Sequence, residues 1–305
     1  MVRYILNRLF QSVLMLLGIT LVIFVITNVL GDPAALLVDD EFSKEEQLAL
    51  RHEIGLDQPL MVQYFRFVEK AVQGDFGQSL QMQTPAFELV WEHLPATVEL
   101  SLAAIFFAVL FAIPLGIASA VKPYSVLDRV LRVLALSGQA APGFWLGIMA
   151  ILFFGVKLKL LPISGRGGWE HLIMPAATLG FYALAAIMRL TRSAMLDVLD
   201  KDYIRTARIK GVHEKSVVLK HALKNALVPV ITIVSLFMGR LLGGAVVTET
   251  IFAWPGMGRL AIGAIQTSDF PVVQAAVFLM SLFFILINLL VDILYSFIDP
   301  RITYN

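Results

Sequence analysis

The sequence contains no cysteine, which excludes structural disulfides, thiolate-bound metal and a cysteine nucleophile. It contains no Gly-Lys dipeptide either, so it has no P-loop with which to cradle nucleotide phosphates. Only 15% of its residues are charged and the formal net charge is +1, leaving no basic excess for nucleic acid. The five histidines, at 52, 93, 171, 213 and 221, fall outside the long apolar runs or at their ends. His213-Glu214 is not followed by the second histidine of an HExxH zinc site. An intramembrane hydrolase needs such a site, a serine with a histidine, or paired aspartates in adjacent spans. The sequence offers none of these, so it predicts no catalytic residue and no metal site.

What is abundant is apolar surface. Of 305 residues, 58% are hydrophobic, too many for a soluble α/β protein of this length. Six apolar runs, at 9–30, 98–121, 130–156, 174–195, 226–247 and 275–298, are each about 20 residues or longer, enough to cross a hydrocarbon core of about 30 Å. In lipid, such runs satisfy their own backbone groups only as helices. The expected fold is therefore all-α, a polytopic membrane protein of six transmembrane helices forming one domain over residues 1–305. Arg3 and Arg8 precede the first run as in a signal peptide, but Gly31-Asp32-Pro33 offers no cleavage site, and the run reads as a retained helix.

The basic residues orient these spans. With the N-terminus inside, Arg3, Arg8, Lys122, Arg129, Arg132, Arg301 and nine Lys or Arg between Arg189 and Lys224 share one side, against eight on the other. Excess Lys and Arg stay cytoplasmic, which predicts cytoplasmic N- and C-termini, a periplasmic loop at 31–97 and a cytoplasmic loop at 196–225. The 31–97 loop is acidic in its first third. Ser43-Lys44-Glu45-Glu46 fits a capped helix start and Gly55 a stop. Pro59 opens a second helix with an apolar face of Tyr64, Phe67, Val68 and Val72, ended by Gly74. Both a solvated lid and a partner-docking surface fit this segment.

The 196–225 loop is the most polar and basic stretch. Asp202 can cap a short helix from Tyr203 to Lys210, and Gly211 fits a left-handed C-cap. A second helix starts near Glu214, with Val218, Ala222 and Ala226 on one stripe, Leu219, Leu223 and Leu227 beside it, and Lys220 and Lys224 opposite. In the first helix, Ala207 and Gly211 are small residues beside Tyr203, Arg205 and Arg208. Physics alone leaves two readings, docking of another protein or attachment to anionic lipid in the bilayer surface.

Ionisable residues inside a membrane are costly and are functional candidates. Arg240 lies deepest, followed by Gly243 and Gly244, which permit close approach to the backbone. Arg240 either lines a translocation path or is paired within the bundle. Glu249 and Asp292 read as interface or helix-end residues. Pro114, Pro142 and Pro175 fall within or at the edges of spans, and Pro142-Gly143-Phe144-Trp145 reads as a bend, with a gate as the alternative. Trp169, after Gly165-Arg166-Gly167-Gly168, suits an interfacial anchor.

The run from Asp202 to Gly211, continued by His221-Ala222-Leu223-Lys224-Asn225-Ala226-Leu227-Val228-Pro229, resembles the EAA loop of ABC importer permeases. It is similar to the variant of the dipeptide, oligopeptide and nickel permeases, with Arg205, Thr206 and Lys224 at the general pattern's Glu, Ala and Pro. Five further strings resemble that subfamily: Gly55-Leu56-Asp57-Gln58-Pro59-Leu60, Gly74-Asp75-Phe76-Gly77-Gln78-Ser79, Leu94-Pro95-Ala96-Thr97, the run from Glu249 to Leu260, and Asp299-Pro300-Arg301.

The resemblance implies a type I ABC importer permease fold in the bacterial inner membrane and a subunit that is not itself an enzyme. It implies a second homologous permease subunit, two ATP-binding subunits and a periplasmic solute-binding protein as partners, with ATP held by the partners and no cofactor here. Tyr203, Arg205, Thr206, Ala207, Arg208 and Gly211 would couple to the ATPase, and Arg240, Gly243 and Gly244 are candidates for the path. The expected cargo is di- or oligopeptides, with glutathione or a nickel chelate as alternatives.

Overall fold

In the computed structural model, residues 2–27 and 57–298 are described. The expected helix at Ser43 with its stop at Gly55, and the Asp299-Pro300-Arg301 string, lie outside them, as does the side chain of Asp292. The helices, in order, are α1 (Val2–Val25), α2 (Leu60–Val72), α3 (Ala86–Val121), α4 (Val126–Ala140), α5 (Gly143–Ala150), α6 (Trp169–Leu199), α7 (Asp202–Ile209), α8 (Glu214–Ser216), α9 (Leu223–Ile251), α10 (Met257–Gln266) and α11 (Phe270–Ile298). Two π-helical stretches extend α5 and join α8 to α9, Ile151–Lys157 and Val217–Ala222. Among the described residues the one β-type pairing is a single bridge between Gln78 and Pro85.

Five helices are long and apolar enough to cross a membrane, and six spans result when the bent pair Val126–Ala140 and Gly143–Lys157 is taken as one. The run at 130–156 is thus not a continuous helix: it turns by 108°. Pro142 is the cause. It lacks an N–H and disfavours the α conformation in its predecessor, and Ala141 is extended here, at φ −74° and ψ 130°. Pro175 and Pro229, in contrast, are carried inside α6 and α9.

The chain forms two compact units. The first comprises residues 1–95 and 260–285. Within it α2 packs on α1: Tyr64 meets Phe24 edge-on, and its hydroxyl donates to the Leu17 carbonyl at 3.0 Å. Gly74, at φ +77°, ends α2 by donating to the Ala71 carbonyl while Asp75 donates to Lys70, a Schellman stop. The buried face differs by one residue from expectation, with Ala71 buried and Val72 exposed. Helical phase explains it, because Tyr64, Phe67 and Ala71 follow the three-and-four spacing. Asp269 is buried and accepts from the Ser79 hydroxyl and the Gln81 amide, pinning the turn after Gly77.

The second unit comprises residues 96–259 and 286–305. Its core is built from alanines of α3 and α6 with Leu131 of α4 and Val230, Phe237 and Leu241 of α9. Small residues set the spacing: a Cβ on Gly180 would strike the Ala104 carbonyl, and one on Gly116 would lie 2.7 Å from Thr191 Cβ. Such contacts substitute for the hydrophobic driving force that helices lack in lipid.

Candidate functional site: the basic helical hairpin between α6 and α9

α7 begins one residue earlier than the sequence suggests. Lys201 is its N-cap and Asp202 its first helical residue, so Asp202 is not the cap but still places its carboxylate at the positive helix start. Gly211, at φ +75°, ends α7 as expected: its N–H donates to Arg208 O at 3.0 Å, and Val212 N–H to Ala207 O at 3.2 Å. That is the Schellman pattern again, and it turns the chain sharply toward α8.

One side chain anchors this hairpin. Ile204 is 0% exposed and packs into a cluster with Ala120 of α3, Ala194 and Met195 of α6, and Val217, Val218 and Ala222 of the π-helical stretch. Ala207 is packed against the same cluster, so of the two small residues only Gly211 is open, with nothing within 4 Å of an added Cβ. Tyr203, Arg205, Thr206, Arg208 and Gly211 are all exposed. In the second helix Val218, Ala222 and Ala226 are buried and Lys220 and Lys224 exposed, as their spacing predicts, while Leu219 is exposed.

The outward face is held by polar contacts. Arg208 donates to Glu214 through Nε at 3.1 Å and Nη2 at 2.8 Å, and this carboxylate raises the guanidinium's pKa above its ordinary value. Arg205 donates to Asp200 at 3.0 Å, and Asn225 donates to the Tyr203 hydroxyl at 3.1 Å. At the tip Ile209 is 86% exposed. The sequence reading did not single out Ile209, because its attention went to the charged and small residues around it.

Residues 112–304 match the family described as binding-protein-dependent transport system inner membrane component, and residues 1–103 match its N-terminal counterpart. The chain belongs to this family. Its relatives include the glutathione transport system permease protein GsiC of Salmonella paratyphi A, 43% identical over 306 residues with 100% of each chain covered, and that of Escherichia coli, 42% identical over the same extent. Two solved structures share the fold. The MetNI methionine ABC transporter in inward-facing conformations is 20% identical with TM-score 0.58, covering 69% of this chain and 96% of that one. An amino acid ABC transporter with histidines is 14% identical with TM-score 0.53, covering 70% and 94%.

The permease is therefore a multi-pass inner-membrane subunit of a binding-protein-dependent ABC importer with the type I fold. Membership implies an ATPase and a substrate-binding protein as partners. In α9, Arg240 is exposed and, among the described residues, makes no hydrogen bond or ion pair; Leu236, Gly243 and Val247 are exposed too. These positions share one face of α9, and the pairing of Arg240 within the bundle, one of its two readings, does not occur among the described residues. Gly243 is open, whereas the neighbouring Gly239 is the glycine that admits a side chain, Asn288 of α11. Gly244 lies on the same helix one residue on.

Two polar nodes frame the permease's second unit. Glu249, 0% exposed, accepts from the Thr97 hydroxyl at 2.7 Å and the Arg259 amide at 2.9 Å. Met257 N–H in turn donates to Thr97 at 2.8 Å and Trp254 Nε1 to Ala96 O at 2.8 Å. This is a helix-end role, as expected. Asp128, also 0% exposed, joins α4 to α6 through Arg192 and to α3 through Ser119. The sequence reading passed over it. Its only local signal is Ser125 three residues earlier, whose hydroxyl caps α4 by accepting from Asp128 N.

Proposed function

We propose that the permease passes small peptides of glutathione's class and size across the inner membrane, driven by two ATP-binding subunits that hold the nucleotide and dock on α7. A second homologous permease subunit completes the path, and a periplasmic solute-binding protein delivers the cargo. Both termini and the 196–225 loop face the cytoplasm, and the 31–97 loop faces the periplasm.

The observation that carries the docking role is Ile204. Because it is sunk among α3 and α6 residues, a push on the exposed face of α7 moves the ends of two spans instead of a loose loop. Packed elements of this kind switch between discrete arrangements. The face left for the ATPase holds Tyr203, Arg205, Thr206, Arg208 and Gly211 with Ile209 at its tip, and Ala207 supports it from behind. The cargo reading rests on the glutathione named in the relatives at 43% identity; glutathione is itself a tripeptide, so peptide and glutathione readings meet in one substrate class. Arg240, with open Gly243 beside it and Gly244 next, would meet the substrate's carboxylates along the path.

Uptake of labelled glutathione and of di- and tripeptides into cells with and without this permease tests the reading. Loss of uptake of at least one of them on deletion is the expected result; unchanged uptake of all of them overturns it.

A further inference from the structure

Within the second unit, α3, α4 and α6 enclose a groove of about 250 Å³. Its lining is wholly apolar and includes Phe107, Phe111, Leu131, Leu134, Phe181 and Met188. Phe111 and Leu134 remain about half exposed, at 44% and 53%, so the groove is open at its side. A single hydrocarbon chain is slender enough to lie along such an open-sided apolar groove.

One end of this groove is polar. Leu115 and Met188 line it, and one turn beyond each, Ser119 and Arg192 converge on Asp128. Arg132 follows the lining residue Leu131 in α4. Its Nε stands 3.5 Å from Asp128 and its side chain is 45% exposed. Arg192, Ser119 and the Tyr124 amide already occupy that carboxylate. Arg132 therefore adds to Asp128 only a loose ion pair at 3.5 Å, makes no hydrogen bond among the described residues, and leaves nearly half of its side chain open to the surroundings. Arg129, one turn back, is exposed too.

An open apolar channel ending at a half-exposed arginine matches the two halves of an anionic phospholipid. Guanidinium groups bind phosphate through paired N–H donors, and basic clusters at membrane helix ends attract acidic lipid. We infer that this groove binds an anionic phospholipid, one acyl chain lying between α3, α4 and α6 and the phosphate seated at Arg132. The lipid would bridge the three helices on the open side of the groove, outside the Asp128 node that joins them on the inside.

The test uses the purified importer, stripped of loosely held lipid in detergent, equilibrated with vesicles of equimolar phosphatidylglycerol and phosphatidylcholine, and analysed for retained lipid by mass spectrometry. The wild type is expected to retain phosphatidylglycerol about fivefold over phosphatidylcholine. Arg132→Gln removes most of that preference while leaving total retained lipid nearly unchanged. Leu134→Trp fills the groove without altering charge and lowers the total. Equal retention of the two lipids by the wild type, which requires no variant to fold, overturns the inference. So does an unaltered preference in Arg132→Gln, or a disulfide between Leu134→Cys subunits, since a second protein chain then covers the groove.

Discussion

Arg192 grips Asp128 at two points, Nε to Oδ1 at 2.7 Å and Nη2 to Oδ2 at 2.9 Å, with the aspartate fully buried and the arginine 19% exposed. Removing one member of such a pair strands the other in a poorly solvated place, at about 3 kcal/mol or more. Asp128→Asn and Arg192→Gln are each expected to lower the apparent melting temperature of the solubilised importer by about 6–10 °C. The double variant should lose less than the sum, because neither charge is then left alone. Additive losses would show that the two side chains do not act as a pair.

Gly256 sits against the other buried carboxylate. A Cβ there would collide with the Glu249 carboxyl, while the same addition at Gly211 meets nothing within 4 Å. Gly256→Ala is therefore expected to cost about 1–3 kcal/mol through overpacking, read as reduced protein yield and a lower melting temperature. Wild-type stability in that variant would mean that the turn from Ala253 to Arg259 is free to shift.

At Gly211 the constraint is the backbone. A left-handed φ costs an alanine about 1–2 kcal/mol, whereas asparagine tolerates it better. Gly211→Ala should loosen the end of α7 and reduce uptake several-fold, with Gly211→Asn closer to wild type. If alanine and asparagine behave alike, the turn conformation is not what matters there.

The Arg208–Glu214 pair is exposed on both sides, at 43% and 55%, and such pairs contribute about 0–1 kcal/mol. Arg208→Ala should leave the melting temperature within a degree or two yet reduce uptake, because it changes the proposed docking face. A large stability loss together with normal uptake would assign the residue to the fold instead.

Local signals were read well from sequence. The left-handed glycines at 74 and 211 and the break at Pro142 depend on a single residue's φ or missing N–H, which neighbours cannot easily override. The apolar runs likewise found the spans, although the run at 130–156 proved to be two helices at 108°. Contacts between distant residues were illegible. Asp128 and Arg192 lie 64 positions apart, and hydrophobic periodicity is silent on which charges meet. Ala207 looked like an outward small residue because spacing from Gly211 gave no sense of which side Ile204 would pull inward. Asp202 missed its expected cap position by one residue, the usual uncertainty of a helix end.

The absence of cysteine makes the decisive measurement direct, since any introduced cysteine is unique in this subunit. Ile209→Cys, fitted with a short bifunctional cross-linker in native membranes, should join the permease to an ATP-binding subunit, visible as one adduct of their summed mass. Leu236→Cys, on the exposed face of α9, should give no such adduct. Failure of Ile209→Cys to capture an ATP-binding subunit, while transport activity is retained, would contradict coupling through α7.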